Sequence, residues 1–403
     1  MNILILAHKM PYPPKDGGSI VTLNYAKELS RLGCSVTILA MNTYKRRFKI
    51  EEIPTELRNM IKFYAVDVDT KIRPLYLLVN LFQKKSYHIW RYGSSDKFKE
   101  KLIELLKNNR FDIVQLEGLY LAPYLNVIRE NSKAKVVLRA HNIEYEILER
   151  YAEWEKSLLK KLWLKIQARR LKKYELGVLN SFDGIVAITD RDAKIFKESG
   201  CRIPIHVAPA GIEIENYNPS EGKESDSLFF IGALDWFPNQ QGLEWFLKNV
   251  WPRVYEKFPN LKFYIAGRNP HLWKFSKKIS KFPNVELIGE VEDAREFMGS
   301  KGVMIVPVFS GSGIRVKIIE AMAMGKIVVT TSVGIEGIDY GCVNSVLIAD
   351  TVDEFIEKTV FALMEVKNRN QDRETTLSFV RQNFDVKKIV IKNIDFYENL
   401  ISK

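Results

Sequence analysis

The residues best suited to chemistry lie between Pro307 and Lys326. An apolar run ends at Pro307, the stretch Ser310-Gly311-Ser312-Gly313 follows, and helical spacing begins near Gly313 and Ile314. Free N–H groups at a helix start bind anions, and glycine lets a phosphate approach the backbone closely. Arg315 and Lys317 fall in the expected first turn. The helix dipole disfavours cations there, so two of them together imply an anionic ligand that offsets the cost. Glu320 follows on the same expected face as Ser312 and Gly313, suited to accept hydrogen bonds from hydroxyls such as those of a ribose. A Gly-Ser-Gly turn alone would indicate an ordinary capped helix. The run Glu320-Ala321-Met322-Ala323-Met324-Gly325 behind it favours the anion site.

Other candidates sit just past apolar runs. His141, in Leu138-Arg139-Ala140-His141-Asn142, is a lone histidine of the kind most often structural, but its place at a strand end favours a role in orienting a ligand. Glu117 closes Val114-Gln115-Leu116-Glu117 and can be either a base toward a hydroxyl or a structural carboxylate; the sequence leaves both readings open. Gly17 and Gly18 open a helix directly after the first strand and its loop. Gly232, Gly267 with Arg268, and Gly289 with Val291 each follow an apolar run. Strand-end glycines are common, so singly these are weak signals.

The elements that must hold these residues alternate between strand and helix signals. In the first half, strands are expected at 3–7, 35–40, 112–116, 135–139 and 184–188, with an amphipathic helix over 19–32 closed by Gly33. A linker rich in Pro, Gly and Asn is expected at 204–219. The pattern then restarts, with strands at 227–231, 262–266, 285–288, 303–307 and 327–330 and a helix near 240–258. A last helix over 386–400 has no strand after it. Such alternation predicts two doubly wound, Rossmann-like parallel-sheet domains, over 1–205 and 206–383, with ligands in a cleft outside the carboxyl ends of their strands.

Composition narrows the function. No apolar run approaches the roughly 20 residues of a membrane span, and the short apolar start, lacking a basic leader, reads as a first strand and not a signal peptide. Cys34, Cys201 and Cys342 are scattered and odd in number, which fits a reducing cytoplasm. The 5 histidines show no metal-ligand spacing, so no metal is expected. A net charge of +12 points to anionic partners, but no nucleic-acid motif is present. The basic residues cluster in Tyr44-Lys45-Arg46-Arg47 and over 156–173. The second cluster interleaves Leu and Trp with Lys at helical spacing. It suits either an anionic membrane surface or the solvated face of a helix packed by Leu and Trp.

The segments around Ser312 and Glu320 resemble those of the retaining GT-B glycosyltransferases of family four, which build bacterial polysaccharides and lipid-linked glycans. The resemblance covers nearly the whole chain and is strongest over 227–337. It implies a nucleotide-diphosphate sugar as donor, a glycan or lipid-linked acceptor, and no metal or other cofactor. It further implies a cytoplasmic protein and a C-terminal helix, 384–403, that crosses back to the first domain. The family signature, Glu, seven residues, then Glu-Ala-Met-Ala, implies that Glu320 holds the donor ribose. Ser312 stands where the family has its first Glu, which usually contacts the donor sugar, and the backbone at Gly313 and Ile314 would face that sugar instead. Many members carry Gly-Arg and then Lys after the strand that here ends in Ile231-Gly232. Ala233 and Pro238 occupy those positions, and Arg315 with Lys317 would replace the missing cations. The same resemblance places Gly17 and Gly18 near the donor phosphate and His141 near the anomeric carbon, Gly267 and Arg268 near the donor, and Gly289 and Val291 at the nucleotide base. A nucleotide-sugar 2-epimerase and a binding subunit without chemistry are the competing readings.

Overall fold

The computed structural model describes residues 1–43, 47–71, 73–81, 86–219, 224–341, 343–366 and 370–402. Most of the Tyr44–Arg47 cluster and Cys342 therefore lie outside the described residues. The chain divides into two compact units, Met1–Gly211 with Val386–Lys403, and Ile212–Asp385.

The first unit is built on a parallel sheet of seven strands: β1 (Asn2–Ala7), β2 (Ser35–Thr43), β3 (Ile61–Val68), β4 (Ile113–Glu117), β5 (Lys135–Ala140), β6 (Gly184–Ala187) and β7 (Ile205–Val207), in the order β3-β2-β1-β4-β5-β6-β7. The central strands are buried on both faces because helices cover both, and β1 is almost wholly apolar. Ile3 and Ile5 join one core while Leu4 and Leu6 join the other. The edge strands β3 and β7 escaped the sequence reading. β3 mixes polar with apolar residues, and β7 is three half-buried residues inside the expected linker. Because β7 pairs with β6, the first unit runs to Gly211, past the expected division at 205/206. The helix Val386–Ile401 also lies in this unit, with Val390 and Tyr397 in its core.

The second unit holds six parallel strands: β8 (Glu224–Ile231), β9 (Lys262–Ala266), β10 (Val285–Gly289), β11 (Lys301–Val306), β12 (Val328–Thr330) and β13 (Val346–Ile348), in the order β10-β9-β8-β11-β12-β13. The helix expected near 240–258 is two helices, Phe237–Asn249 and Trp251–Lys257. Pro252 lacks the N–H that would continue the first helix and suits the first turn of the second.

In both sheets the winding reverses once, between β1 and β4 and between β8 and β11. Loops leaving the two strands on either side of a reversal part in opposite directions, and the crevice between them is where open α/β sheets take ligands.

Candidate active site

In the second unit the loops at the reversal are 232–236 after β8 and 307–315 after β11. Gly242 fastens the second loop to the helix Phe237–Asn249. A Cβ there would stand 1.5 Å from the Pro307 carbonyl oxygen, so helix and loop meet backbone to backbone. Ser310 Oγ donates to Gln241 Oε1 at 3.0 Å, and Phe309 meets Trp245 edge to face. Gly311 and Gly313 hold φ of 110° and 79°, conformations that side chains rarely adopt, and these two turns keep the chain from coiling. The helix accordingly starts at Val316, later than the expected start near Gly313. Arg315 is its N-cap residue, Lys317 lies in its first turn, and Ser312, Gly313 and Ile314 belong to the loop.

The two cations do different things. Arg315 is buried and turns back on its own loop, donating from a terminal nitrogen to Ser312 O at 2.7 Å and to Gly313 O, with its guanidinium beside the Trp236 ring. Lys317 reaches across to the loop after β8. Its Nζ lies 4.0 Å from the centre of the Phe230 ring and donates to Asn239 Oδ1 at 3.1 Å. A Cβ on Gly232 would come within 3.1 Å of that Nζ. Burial, then the neighbouring Arg315, hold the Lys317 ammonium well below the ordinary lysine range, with Glu320 opposing them. A half-buried, desolvated cation at a helix start and a strand-end glycine is poorly compensated by protein alone, and an anion placed against it would be bound strongly.

Gly232, Gly267 and Gly289 line up across the ends of β8, β9 and β10. Gly232 N–H donates to Ala266 O, and Gly267 N–H donates to Gly289 O at 2.7 Å. A Cβ on Gly267 would lie 1.7 Å from Gly232 O. Arg268 pairs with Asp235 at 3.3 Å, and Asn269 donates to the same carboxylate. Val291 follows β10 half-buried. Glu320 Oε1 accepts from Tyr217 OH at 2.7 Å; burial raises its pKa, against Tyr217, Arg295 and Lys317. Ala233 offers its carbonyl to Asn239 Nδ2 at 2.9 Å.

In the first unit the site surrounds Glu117, at the end of β4. Its Oε2 accepts from Thr22 Oγ1 at 3.0 Å and lies 2.5 Å from His141 Nε2 and 3.5 Å from an Arg139 nitrogen, while Oε1 accepts from Gln115. Gln115 accepts in turn from Tyr397, whose hydroxyl meets that of Tyr25 at 2.8 Å. Burial pushes the Glu117 carboxyl up, but Arg139, then His141 and Gln115, outweigh it and leave the group at about 2. An ionised carboxylate only accepts, so His141 Nε2 carries the proton between them, which fixes the ring. Arg139 and Glu117 are cross-strand partners in the β4–β5 register.

Gly17 and Gly18 form the first turn of the helix Gly17–Arg31. Asp16 caps it, accepting from Ser19 N–H and from Lys9 Nζ at 2.8 Å. A Cβ on Gly18 would stand 3.2 Å from that Nζ. His8 rests on the Glu117 carbonyl, and burial, then Lys9, lower its pKa to about 4.

Sequence reasoning missed Arg139, Gln115, Lys9, Asn239 and Tyr217. The available signal was polarity inside apolar strands: Gln115 and Glu117 are two apart in β4 and so share one face. Tyr217 and Asn239 gave no comparable signal, being set by loop paths. Among the described residues no three His, Cys, Asp or Glu side chains are grouped as metal ligands.

Two parallel α/β units, each with its polar residues gathered where the strand order reverses, define a two-domain GT-B glycosyltransferase. Solved structures share the fold over the full length. Anabaena Alr3699/HepE, crystallised with UDP-glucose, is 14% identical with a TM-score of 0.68, covering 99% of this chain and 100% of its own. Sucrose-phosphate synthase of Thermosynechococcus elongatus is 13% identical with a TM-score of 0.70, covering 100% of both chains. An uncharacterized 44.6 kDa protein in the cps region of Klebsiella pneumoniae is 25% identical over 398 residues, 96% of this chain and 97% of its own. The Glycosyltransferase Family 4 model matches residues 15–216 and the Glycosyl transferases group 1 model matches residues 225–365; the chain belongs to this glycosyltransferase family.

Proposed function

We propose that the protein transfers a sugar from a nucleotide-diphosphate donor to a glycan or lipid-linked saccharide, with retention and without a metal. The observation that carries this reading is Lys317, a half-buried ammonium held against the Gly232 turn where the strand order of the second sheet reverses. The donor diphosphate lies against Lys317 and the N–H groups of the 312–314 loop, and Glu320 takes the ribose hydroxyls. Arg315 keeps the loop in shape, since its guanidinium is engaged by the loop's own carbonyls. Gly232, Gly267 and Gly289 let the nucleotide approach the backbone, and Arg268 and Val291 flank it. HepE, whose structure holds UDP-glucose, supports a uridine nucleotide.

On the acceptor side, His141 orients the reacting sugar, and Gly17 and Gly18 admit phosphate to a helix start. A carboxylate held near 2 is a weak base, so Glu117 positions His141 and takes no proton from the acceptor. The bond from the anomeric carbon to the phosphate oxygen breaks as the acceptor oxygen bonds to that carbon from the same face. The acceptor proton passes to the departing phosphate oxygen. This step asks the protein for positioning and charge stabilisation alone. We place the reaction in the cytoplasm, at the inner face of an anionic membrane.

The test is a thermal-shift series with UDP, GDP, ADP and their sugar conjugates, in EDTA, followed by product analysis. A ligand that binds only the folded chain raises the midpoint. A shift with one nucleotide and its sugar, followed by a new glycoside of retained configuration, is the expected result. An epimerised donor, or binding without any product, would replace transfer by one of the competing activities. No shift with any nucleotide would remove the donor site.

A further inference from the structure

The helix Glu144–Trp154 follows His141, turns at 155–157 and is succeeded by the helix Leu158–Val178, which packs beside it. The second helix buries Leu164, Gln167, Ala168, Leu171 and Glu175. Trp163, Tyr174, Leu176 and Val178 pack half-buried beside that stripe. The leucines expected to pack its first turns point outward: Leu158 is 82% exposed, Leu159 84% and Leu162 58%, and Trp154 at the turn is 47% exposed. Among the described residues no large apolar side chain is more exposed than Leu158 and Leu159. Around them, residues 156–173 hold Lys156, Lys160, Lys161, Lys165, Arg169, Arg170, Lys172 and Lys173 and no acidic residue. Glu155, just before, pairs with Lys160.

Exposed leucines beside a tryptophan and a cluster of cations suit neither water nor a dry protein interface. They suit the boundary between anionic headgroups and acyl chains, where the apolar side chains enter and the cations meet phosphate. We propose that the tip of this helical hairpin, Trp154 with Leu158, Leu159 and Leu162, docks the protein on an anionic bilayer. The inference rests on the membrane-side reading given above and specifies the surface that serves it.

The hairpin also ties that surface to the site. Glu175 accepts from the N–H groups of Glu144 and Tyr145, at 3.1 Å each, and so fastens the second helix to the start of the first, beside His141. The first helix has 11 residues, so the docked tip stands about 16 Å from the His141 end. An acceptor anchored in the bilayer must carry its reacting hydroxyl across that gap, which favours a lipid diphosphate already bearing sugar.

The experiment is flotation of the full chain with vesicles of pure phosphatidylcholine and with vesicles containing phosphatidylglycerol. The wild type is expected to float with the anionic vesicles alone, less so as salt rises. L158E/L159E/L162E, changed only at exposed positions, is expected to keep its circular dichroism and remain with the soluble fraction. K156Q/K160Q/K165Q is expected to bind roughly a hundredfold more weakly. A wild type that ignores anionic vesicles at low salt, or a triple glutamate variant that floats undiminished, overturns the proposal. So does a wild-type dimer that the glutamates dissociate with no vesicle binding, which would assign the patch to a second copy. The nucleotide thermal shift on the same preparations is read separately, so loss of docking with the shift intact leaves sugar transfer standing.

Discussion

At the reversal point of the first sheet, Glu117 is surrounded by side chains: Arg139, His141, Gln115 and Thr22 all address one carboxylate. Beside the reversal point of the second sheet, glycines close or directly follow three neighbouring strands, and two of those glycines touch main chain to main chain. One edge is organised by charge, the other by the absence of Cβ atoms. On the proposed function, the difference follows from what each edge would have to hold. Fixing the ring of one histidine takes a rigid, fully paired acid. Admitting a flat nucleotide with a diphosphate takes bare backbone and one cation, Lys317.

The largest effect that tests this contrast is expected from Arg139→Met, which strands a buried carboxylate. Urea unfolding should show a loss of about 3–5 kcal/mol, and Glu117→Gln in the same chain should recover part of it. No loss would mean that His141 alone sustains the charge. The pH dependence comes next. The folded Glu117 lies at about 2 against an ordinary 4.5. Its contribution, about 3 kcal/mol on that difference, is complete above pH 4.5 and lost as pH falls toward 2. Urea midpoints across that window should fall in the wild type and flatten in E117Q.

On the glycine edge the signs differ. Lys317→Met removes a desolvated charge, so the unliganded chain should be no less stable. Donor affinity should nevertheless drop by about ten- to a hundredfold, as expected for one charge-assisted hydrogen bond; calorimetry with the shifting nucleotide reads it. Unchanged affinity would move the diphosphate away from Lys317. Gly267→Ala should cost about 1–3 kcal/mol by overpacking, because its methyl group would meet the Gly232 carbonyl. The nucleotide thermal shift should disappear with it. An alanine tolerated without loss would show that the edge is looser than its backbone contacts imply.

Much of this was legible in the chain. The inner strands are long apolar runs between turn signals, and their period and flanks place them to within a few residues. Three edge strands were not legible, since β3 is partly polar and β7 and β13 are three residues each, whereas the edge strand β10 was expected. The placing of the candidate residues was legible: His141, Glu117, Lys317 and the glycines all lie at strand ends or helix starts in the structure. Their roles were not legible, because a role depends on what stands opposite. Glu117 reads equally as base or scaffold until Arg139 faces it across the β4–β5 register. Arg315 and Lys317, two apart, look like one clamp until the loop turns at Gly311 and Gly313 send one guanidinium back to its own carbonyls and leave the ammonium facing Gly232.

The sequence by itself determined the two parallel-sheet units and the family, because apolar periodicity and strand-end glycines are local properties written in order. It also determined that the 156–173 stretch would be basic and rich in leucine. Only the tertiary structure decided which of those leucines are buried. The same pattern of Leu and Lys fits a packed helix or a membrane-facing one, and the choice falls to the neighbours, which take Leu164, Ala168 and Leu171 and leave Leu158, Leu159 and Leu162 to the surface.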